Sequence, residues 1–454
     1  MEKVYDVAVI GGGVGGFGVA AQLQMKGFKT ILVDEHSRIG GRSTSLDYGG
    51  GWLVDMGHHC VNLAEKSEMN ELVQLVGKEI TWAKPIVGVQ VWRNGKWREF
   101  MDAFELDRSA LEENEIIRKK IKSMNDEEID ALDDTSFGDW LLQYTESENL
   151  IEMFRTIAMG YTTIPDLESQ AASEVLWLHR ENMKRMGDFI ERPAGVPVGG
   201  AINLVKPLAD AFTENGGVMK LKTRAEEVLI KDQKVVGLRV KEREGEEYTI
   251  KTELVVCAIP IYRLPEVLFT DENLPQLDGD WVKRLESVKD QVSGSVGYIA
   301  GLTKPLYTET SFKCAPTLTH AKVPFQVFAQ SNCDETIAPP GKMLISLGGV
   351  PKVDDVRDEN KREKLFKLIW EDILEMFPEI PDIIDWKLPG YFIGPDGLER
   401  KPGLVGKRRP DVKAPGVEGL YFAGDNYRGR GVGVNNAAKS AMICAERILK
   451  DRNK

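Results

Sequence analysis

Three glycines near the start of the chain have the spacing of a dinucleotide-binding turn. Gly11, Gly13 and Gly16 form the pattern GxGxxG, with Val14 and Gly15 inside it. The first glycine permits a tight turn from strand to helix, the second lets the backbone approach a pyrophosphate, and the third lets the helix pack on the strand. The free N–H groups and positive dipole end of such a helix favour a bound anion.

The elements around these glycines predict a βαβ unit. Residues 5–10 are an apolar, β-rich run typical of a buried parallel strand, and residues 29–33 predict a second strand. Asp34 ends that second strand and Glu35 follows it. A carboxylate about 20 residues after the glycines can bond the ribose hydroxyls of a dinucleotide. The same carboxylate would repel a ribose 2′-phosphate, which argues against NADP.

Composition limits the class of protein. The chain has 454 residues, and 42% apolar with 29% charged residues is ordinary for a globular protein of two or three domains. A net charge of −12 opposes phosphate backbones, so we expect no nucleic-acid partner. Five scattered cysteines favour reduced thiols and a cytoplasmic location, either free or peripheral to a membrane. We expect neither a signal peptide nor a spanning helix, which needs about 20 apolar residues.

A second glycine motif follows directly after the acidic pair. Residues Arg38-Ile39-Gly40-Gly41-Arg42 resemble the second glycine motif of the flavin amine oxidase and phytoene desaturase superfamily. In that family the motif lies along the pyrophosphate of FAD, and Arg38 and Arg42 match the positions of arginine near the phosphates. Cations beside a diphosphate are physically sensible. The resemblance therefore implies FAD rather than NAD as the cofactor.

Two internal segments resemble the same family. Residues 49–57 end in Val54-Asp55-Met56-Gly57 and look like the segment that runs beside the flavin ring, where Met56, Gly57 and His58 would lie. Residues 197–200, Pro-Val-Gly-Gly, resemble the family's P-x-GG stretch. Residues 222–240 look like the strand pair near the adenine, with Ala225 at the position of a backbone contact.

The C-terminal block carries the most specific resemblance. Residues 419–425, Gly-Leu-Tyr-Phe-Ala-Gly-Asp, resemble the family's strand and turn whose aspartate bonds the ribityl chain. Residues 431–440 then begin a helix whose first N–H groups face the flavin pyrimidine edge, where reduced flavin carries negative charge. The matching residues are Gly424, Asp425, Gly433 and Val434.

These motifs predict an α/β fold: a Rossmann-like FAD-binding domain of the GR2 type with an inserted α+β substrate domain. We place the discontinuous FAD-binding domain at 1–75, 193–262 and 399–454. The substrate-binding domain, with a helical insertion, takes 76–192 and 263–398. Charge-rich residues 111–134 predict a solvated helical surface.

Two departures from the family pattern bear on the reaction. Amine oxidases usually carry a lysine near flavin N5, where our alignment places Tyr298, and an aromatic ring where Gly433 stands. The pattern looks closer to the phytoene desaturase-related branch. It implies an FAD-dependent oxidoreductase that desaturates, reduces or isomerises C–C double bonds of an apolar, isoprenoid or carotenoid-like substrate by hydride transfer with N5. An amine or protoporphyrinogen-type oxidase using oxygen is the open alternative.

The sequence offers fewer candidates for catalysis than for cofactor binding. His58 and His59 follow the flavin-flanking segment, so either could act as a general base, and Tyr298 is a third candidate. No Cys or His spacing suits a metal, so we predict none. Four tryptophans could line an apolar tunnel or be ordinary core, and three loop residues could meet substrate or be solvated. These sets are Trp140, Trp177, Trp281 and Trp370, and Tyr427, Arg428 and Arg430.

The expected partners follow from this reaction class. They are an apolar small molecule and an electron acceptor such as a quinone or oxygen. Rab GDP-dissociation inhibitors share the fold but bind proteins and prenyl groups without FAD. Arg42 and the Asp425 turn disfavour that alternative, because a pure binding protein does not need them.

Overall fold

The computed structural model describes residues 4–57, 60–186 and 194–452. In these ranges a parallel sheet has the strand order Leu420–Phe422, Val255–Cys257, Val7–Ile10, Thr30–Val33 and Val218–Lys220. The first four strands are buried throughout, as expected for a parallel sheet covered on both faces. The strands predicted at 5–10 and 29–33 are confirmed, and both ends of the chain contribute to one sheet.

Helices pack closely around this parallel sheet. Helix Val14–Met25 contacts Ile202–Glu214, Glu68–Leu75 and the C-terminal helix Val434–Asp451. A Cβ on Gly18 would lie 2.9 Å from Ala441 Cβ, so the two terminal helices approach nearly to backbone contact. Around the sheet lie three antiparallel strands and two more helices: Thr223–Lys231, Lys234–Glu242, Glu247–Ile250, Leu264–Leu268 and Gly279–Val288.

A seven-stranded sheet, here called the large sheet, forms the second layer. Its order is Ile384–Leu398, Val292–Leu302, Met343–Gly349, Phe325–Phe328, Phe312–Ala315, Val89–Arg93 and Lys96–Glu99. One face is covered by helix Glu359–Met376, with Val353–Arg357 and Ile380–Ile383 beside it. The other face meets the hairpin of Ser45–Gly49 and Trp52–Asp55, here called the glycine hairpin. Two segments distant in sequence thus build one sheet.

A helical layer covers the remaining side of the molecule. Its helices are Phe100–Ala103, Arg108–Ser123, Asp126–Asp130, Phe137–Leu141, Glu148–Thr162 and Ala172–Met186. Ile117, Ile121 and Ile129 are buried in a shared apolar cluster, while most charged residues of 111–134 stay exposed. The predicted solvated surface is therefore the outer side of this layer. The described elements also include strands Val61–Asn62 and Ala194–Gly195 and the short helix Gln330–Cys333.

The four tryptophans do not line a common tunnel. Trp140 and Trp177 belong to the cluster of the helical layer, and Trp281 packs against Phe422 beside the parallel sheet. Trp370 lies over the outer face of the large sheet. The tunnel interpretation is wrong for this set, because the side chains sit in three separate clusters. Among the described residues, every helix is too short or too polar to cross a membrane.

Buried His179 makes stability depend on pH. Burial lowers the pKa of His179 to about 4, against 6.5 in the unfolded chain. As pH falls, the unfolded state takes up the proton first. The free energy of unfolding is therefore highest above pH 6.5 and falls as the pH drops toward 4. The difference corresponds to about 3 kcal/mol.

We therefore expect His179→Phe to flatten the fall in unfolding free energy between pH 7 and pH 4. Urea unfolding at several pH values measures it. The matched control is His36→Gln, which removes an imidazole that is 71% exposed instead of buried. Equal slopes for His179→Phe and wild type would contradict the assignment.

Candidate cofactor site

A cleft of about 730 Å³ opens where strands Val7–Ile10 and Thr30–Val33 end. That volume lies within the usual range of small-molecule sites. The starts of helices Val14–Met25 and Val434–Asp451 both face it, so the chain's two ends share one cleft. Its lining includes these predicted residues: Gly11, Gly13, Val14, Gly15, Asp34, Glu35, Arg38, Gly40, Gly41, Arg42, Met56, Ala225, Gly424, Asp425, Gly433 and Val434.

The predicted glycines have distinct places in this cleft. A Cβ on Gly13 would meet only the carbonyl oxygen of Gly40 within 4 Å, at 3.9 Å, so this position borders open space. Gly16 lies behind the cleft wall, and its Cβ would stand 1.8 Å from the carbonyl oxygen of Gly11. Gly57 packs in the same way against the carbonyl oxygen of Arg42, at 2.5 Å. Gly13 thus leaves room for a ligand, while Gly16 and Gly57 permit close packing.

The two helix starts supply unsatisfied backbone donors. Gly13 and Gly433 are the cap residues, and as glycines they place no side chain over the first N–H groups. A Cβ on Gly15 would lie 3.0 Å from the backbone nitrogen of Gly424, so the first helix nearly touches the C-terminal turn. Two positive helix ends at one cleft suit a ligand with a diphosphate and a second electron-rich end. FAD fits that description.

The far end of the cleft carries the acidic pair. Asp34 accepts hydrogen bonds from the backbone N–H of Gly12, at 2.7 Å, and of His36, at 2.8 Å. Its orientation is therefore fixed, and a carboxylate keeps further lone pairs for ribose hydroxyls. Glu35 forms an ion pair with Arg263.

Three lining residues of this end escaped the sequence reasoning. Tyr262 and Arg263 come from the segment after strand Val255–Cys257, and Arg243 directly follows strand Lys234–Glu242 of the antiparallel sheet. No local motif marks them, because only the tertiary fold brings them to the cleft.

An ion pair joins the second glycine motif to the C-terminal turn across the cleft. Arg42 Nη2 lies 2.7 Å from Asp425 Oδ1, and Arg42 Nη1 donates to the carbonyl oxygen of Gly394 at 2.6 Å. The Asp425 side chain is 3% exposed, whereas that of Arg42 is 38% exposed and open to the cleft. A guanidinium held in this way can still meet a phosphate, while its partner carboxylate is positioned for a hydroxyl.

Asp55 does not line the cleft, but it adjoins Met56, which does, and its buried carboxylate joins three segments of the fold. Its side chain is buried and accepts hydrogen bonds from Ser45 Oγ, from Gln330 Nε2 and from the backbone N–H of Ala201 at 2.9 Å. These donors come from the glycine hairpin, from helix Gln330–Cys333 and from the start of helix Ile202–Glu214. A Cβ on Gly200 would lie 3.0 Å from Asp55 Oδ1, which explains the second glycine of the pair at 199–200.

We expect Asp55→Asn to lower the unfolding free energy by about 1–3 kcal/mol, because an amide places N–H groups against existing donors. Chemical unfolding of the apoprotein measures this loss. Asp47 lies exposed on the same hairpin, so Asp47→Asn is the matched control and should change little. An Asp55→Asn protein as stable as wild type would contradict the network.

Tyr298 is not at the cofactor cleft. It lies on strand Val292–Leu302 with its ring against Phe366 and Trp370, and its hydroxyl donates to the carbonyl oxygen of Phe366 at 2.9 Å. Burial raises the pKa of its phenol, which keeps the proton on it. The prediction of a catalytic Tyr298 is wrong, since side chains alternate along a strand and this one faces the covering helix.

The loop before the C-terminal helix is also more constrained than predicted. Tyr427 is buried with its ring stacked on Phe422, and Arg428 pairs with Asp411 at 3.1 Å. Arg430 is surrounded by carboxylates of the protein itself. Partners within the fold therefore hold Tyr427 and Arg430, whereas the Arg428 side chain is 42% exposed beside its ion pair, as the solvated-loop alternative predicted.

His58 and His59 lie outside the described residues, so their role as a general base stays a prediction. For metals, the described part of the chain brings His320, Asp372 and Glu375 together on the far side of the large sheet. Both oxygens of Asp372 already accept backbone N–H groups, from His320 and Ala321. Asp372 therefore stabilises the turn at His320 and Ala321. The prediction of no metal is untested.

Comparison with known proteins agrees with this geometry. A prolycopene isomerase from an Oncidium hybrid cultivar is 24% identical over 98% of this chain and 84% of that protein. A zeta-carotene desaturase from Zea mays is 22% identical over 99% of this chain and 85% of that protein. An oxidoreductase from Methanosarcina mazei shares the fold, with a TM-score of 0.81 at 20% identity over 97% of this chain and all of that one.

The family model described as flavin containing amine oxidoreductase matches residues 14–449. This match covers almost the whole chain and includes both helix starts that face the cleft. The predicted superfamily, fold class and FAD cofactor are confirmed. The chain belongs to the flavin containing amine oxidoreductase family and is an FAD-dependent oxidoreductase.

Proposed function

We propose that this enzyme desaturates, reduces or isomerises C–C double bonds of a carotenoid-like polyene. Bound FAD supplies hydride transfer at N5, and the protein supplies binding, orientation and electrostatics. The relatives named above, which align over nearly the whole chain, carry prolycopene and zeta-carotene in their names.

The backbone conformation of Gly433 is the observation that favours a polyene over an amine as substrate. Its φ is +50° and its ψ is −116°, a combination that only glycine adopts without strain. An aromatic ring at this position, as an amine cage would need, is therefore disfavoured at the mouth of the cleft.

We propose roles for the cleft residues on the same basis. Gly13 and the first turn of its helix hold the diphosphate, with Arg42 beside it. Asp425 bonds the ribityl hydroxyls, and Val434 offers its N–H to the pyrimidine edge. Asp34 bonds the adenosine ribose, and Ala225 gives the backbone contact to the adenine. His58 or His59 moves a proton on the substrate.

The test is anaerobic turnover of poly-cis and partly saturated carotenoids in detergent or liposomes, with the product spectrum resolved by chromatography. FAD-loaded enzyme, oxidised or pre-reduced, should change the number or geometry of the double bonds, and a quinone should sustain any net oxidation. The same enzyme given a panel of amines under air should release no peroxide. Rapid peroxide release from an amine, with inert carotenoids, would overturn the proposal.

We further propose a cytoplasmic location with contact to a membrane face, where such substrates dissolve. The five cysteines are all unpaired, which supports a reducing compartment. Cell fractionation with an antibody against the chain tests this. Recovery in an oxidising compartment would contradict it.

A further inference from the structure

The segment that leads into the flavin-facing helix is bonded from the helical layer. This segment, residues 425–433, is here called the approach loop. Glu174, on helix Ala172–Met186, places Oε1 3.3 Å from the backbone nitrogen of Gly431 and Oε2 3.3 Å from Arg430 Nη1. The Glu174 side chain is 3% exposed. A buried carboxylate of the helical layer therefore accepts hydrogen bonds directly from the approach loop.

Arg430 extends this contact to two more carboxylates. Its Nη2 lies 2.7 Å from Asp130 Oδ1 and 3.1 Å from Asp133 Oδ1. Asp133 is itself fixed by Ser173 Oγ at 2.7 Å. A planar guanidinium with several donors can satisfy three carboxylates at once, which an ammonium cannot do with the same geometry.

Arg400 closes the network on the other side of the same peptide. Its side chain is 1% exposed, and its Nη2 donates to the carbonyl oxygen of Gly431 at 2.8 Å. Its Nε lies 3.6 Å from Glu174 Oε1. Both the N–H and the C=O of Gly431 are thus bonded by buried charged side chains.

Gly431 in turn lies against the first turn of the C-terminal helix. A Cβ at this residue would be 3.2 Å from both Asn435 Cβ and the backbone nitrogen of Asn436, and its φ is +127°. Displacing the peptide at Gly431 would therefore displace the start of the helix, which begins three residues later at Val434. Removing these ions from water is costly, and an apolar contact would hold two helices together as well. Helix packing alone therefore does not explain why these charged side chains gather around the peptide of Gly431.

We propose that Glu174, Arg430 and Arg400 are positioning residues, which hold the start of the C-terminal helix at the place where FAD needs it. Through them the helical layer sets the geometry of the cofactor site. The inference rests on the confirmed cofactor and on the role proposed above for Val434. The field of a helix start falls off within about one turn, so a small displacement weakens its effect on a nearby negative charge.

The experiment compares Glu174→Gln/Arg430→Gln, which keeps the net charge, with wild type. FAD affinity is measured by titrating apoprotein, and the two-electron midpoint potential of the bound flavin by dye equilibration. We expect about tenfold weaker FAD binding. We also expect a tenfold loss in preference for the reduced form, which is about 30 mV more negative. Arg430→Lys should give shifts of the same sign and smaller size.

Glu181→Gln is the matched control, because Glu181 lies on the same helix and pairs with Arg180 and Lys184, each at 3.2 Å. It should retain the wild-type affinity and potential. Wild-type values in a folded double variant would overturn the proposal, and so would equal shifts in the control. If the double variant does not fold, Arg430→Lys decides in the same way. Neither readout uses a polyene, so failure of the proposed reaction leaves this result standing.

Discussion

Gly13→Asp is expected to weaken FAD binding about a thousandfold while leaving the fold intact. Gly13 is the cap residue of helix Val14–Met25, with φ −94° and ψ −170°, a backbone conformation in which aspartate is a favoured cap. Its Cβ would point into open space. The new carboxylate would therefore stabilise the helix and at the same time stand beside the diphosphate. Two like charges about 4 Å apart repel by roughly 4 kcal/mol near a protein surface, which corresponds to the thousandfold loss.

Gly13→Ser separates charge from size at this position. Serine is an equally good cap without a charge, so we expect it to weaken FAD binding far less than aspartate does. Titration of apoprotein with FAD, together with thermal unfolding of the apoprotein, measures both effects. Wild-type FAD affinity in Gly13→Asp would show that the diphosphate does not lie at this helix start. A strongly destabilised Gly13→Asp protein would contradict the capping argument.

The part of the site that could be predicted from the sequence is the part made by short segments. Gly13 acts through its own backbone and the turn around it, so the six-residue GxGxxG spacing is enough to predict its place at the cofactor site. The same is true of the C-terminal turn at Gly424 and Asp425, whose strand and helix adjoin it. Such motifs need only local geometry to form, and the structure places both in one cleft.

The rest of the site depends on contacts between distant segments. Arg263 reaches Glu35 only because strand Val7–Ile10 pairs with Val255–Cys257 on one side and with Thr30–Val33 on the other. The error at Tyr298 has a related cause. A shift of one residue in a strand moves a side chain to the opposite face, and a loose alignment cannot fix that parity.

The approach loop shows the same limit for charged residues. Arg430 looked available for a substrate, because its partners Asp130, Asp133 and Glu174 lie some 250 to 300 residues earlier. Buried ion pairs of this kind leave no spacing signal along the chain. Charge in a loop therefore indicates a ligand only when the rest of the fold leaves it without a partner.

Asp425→Ala is expected to damage both the fold and the cofactor site. Asp425 is buried, and its loss leaves the guanidinium of Arg42 without a carboxylate. Breaking a fully buried pair costs about 3–5 kcal/mol, and the partial exposure of Arg42 reduces this to roughly 2 kcal/mol in unfolding free energy. FAD affinity should fall about ten- to a hundredfold, since a charge-assisted hydrogen bond is worth about 1.5–3 kcal/mol.

The double variant Arg42→Met/Asp425→Ala separates these two effects. With the unpaired cation removed, the apoprotein should regain most of its unfolding free energy, because no uncompensated charge remains. FAD affinity should not recover, since the double variant lacks both the carboxylate for the ribityl chain and the cation for the diphosphate. Chemical unfolding and FAD titration of the single and double variants form one thermodynamic cycle. Recovery of FAD binding together with stability would mean that the pair only supports the fold, and that the flavin is held by the helix starts alone.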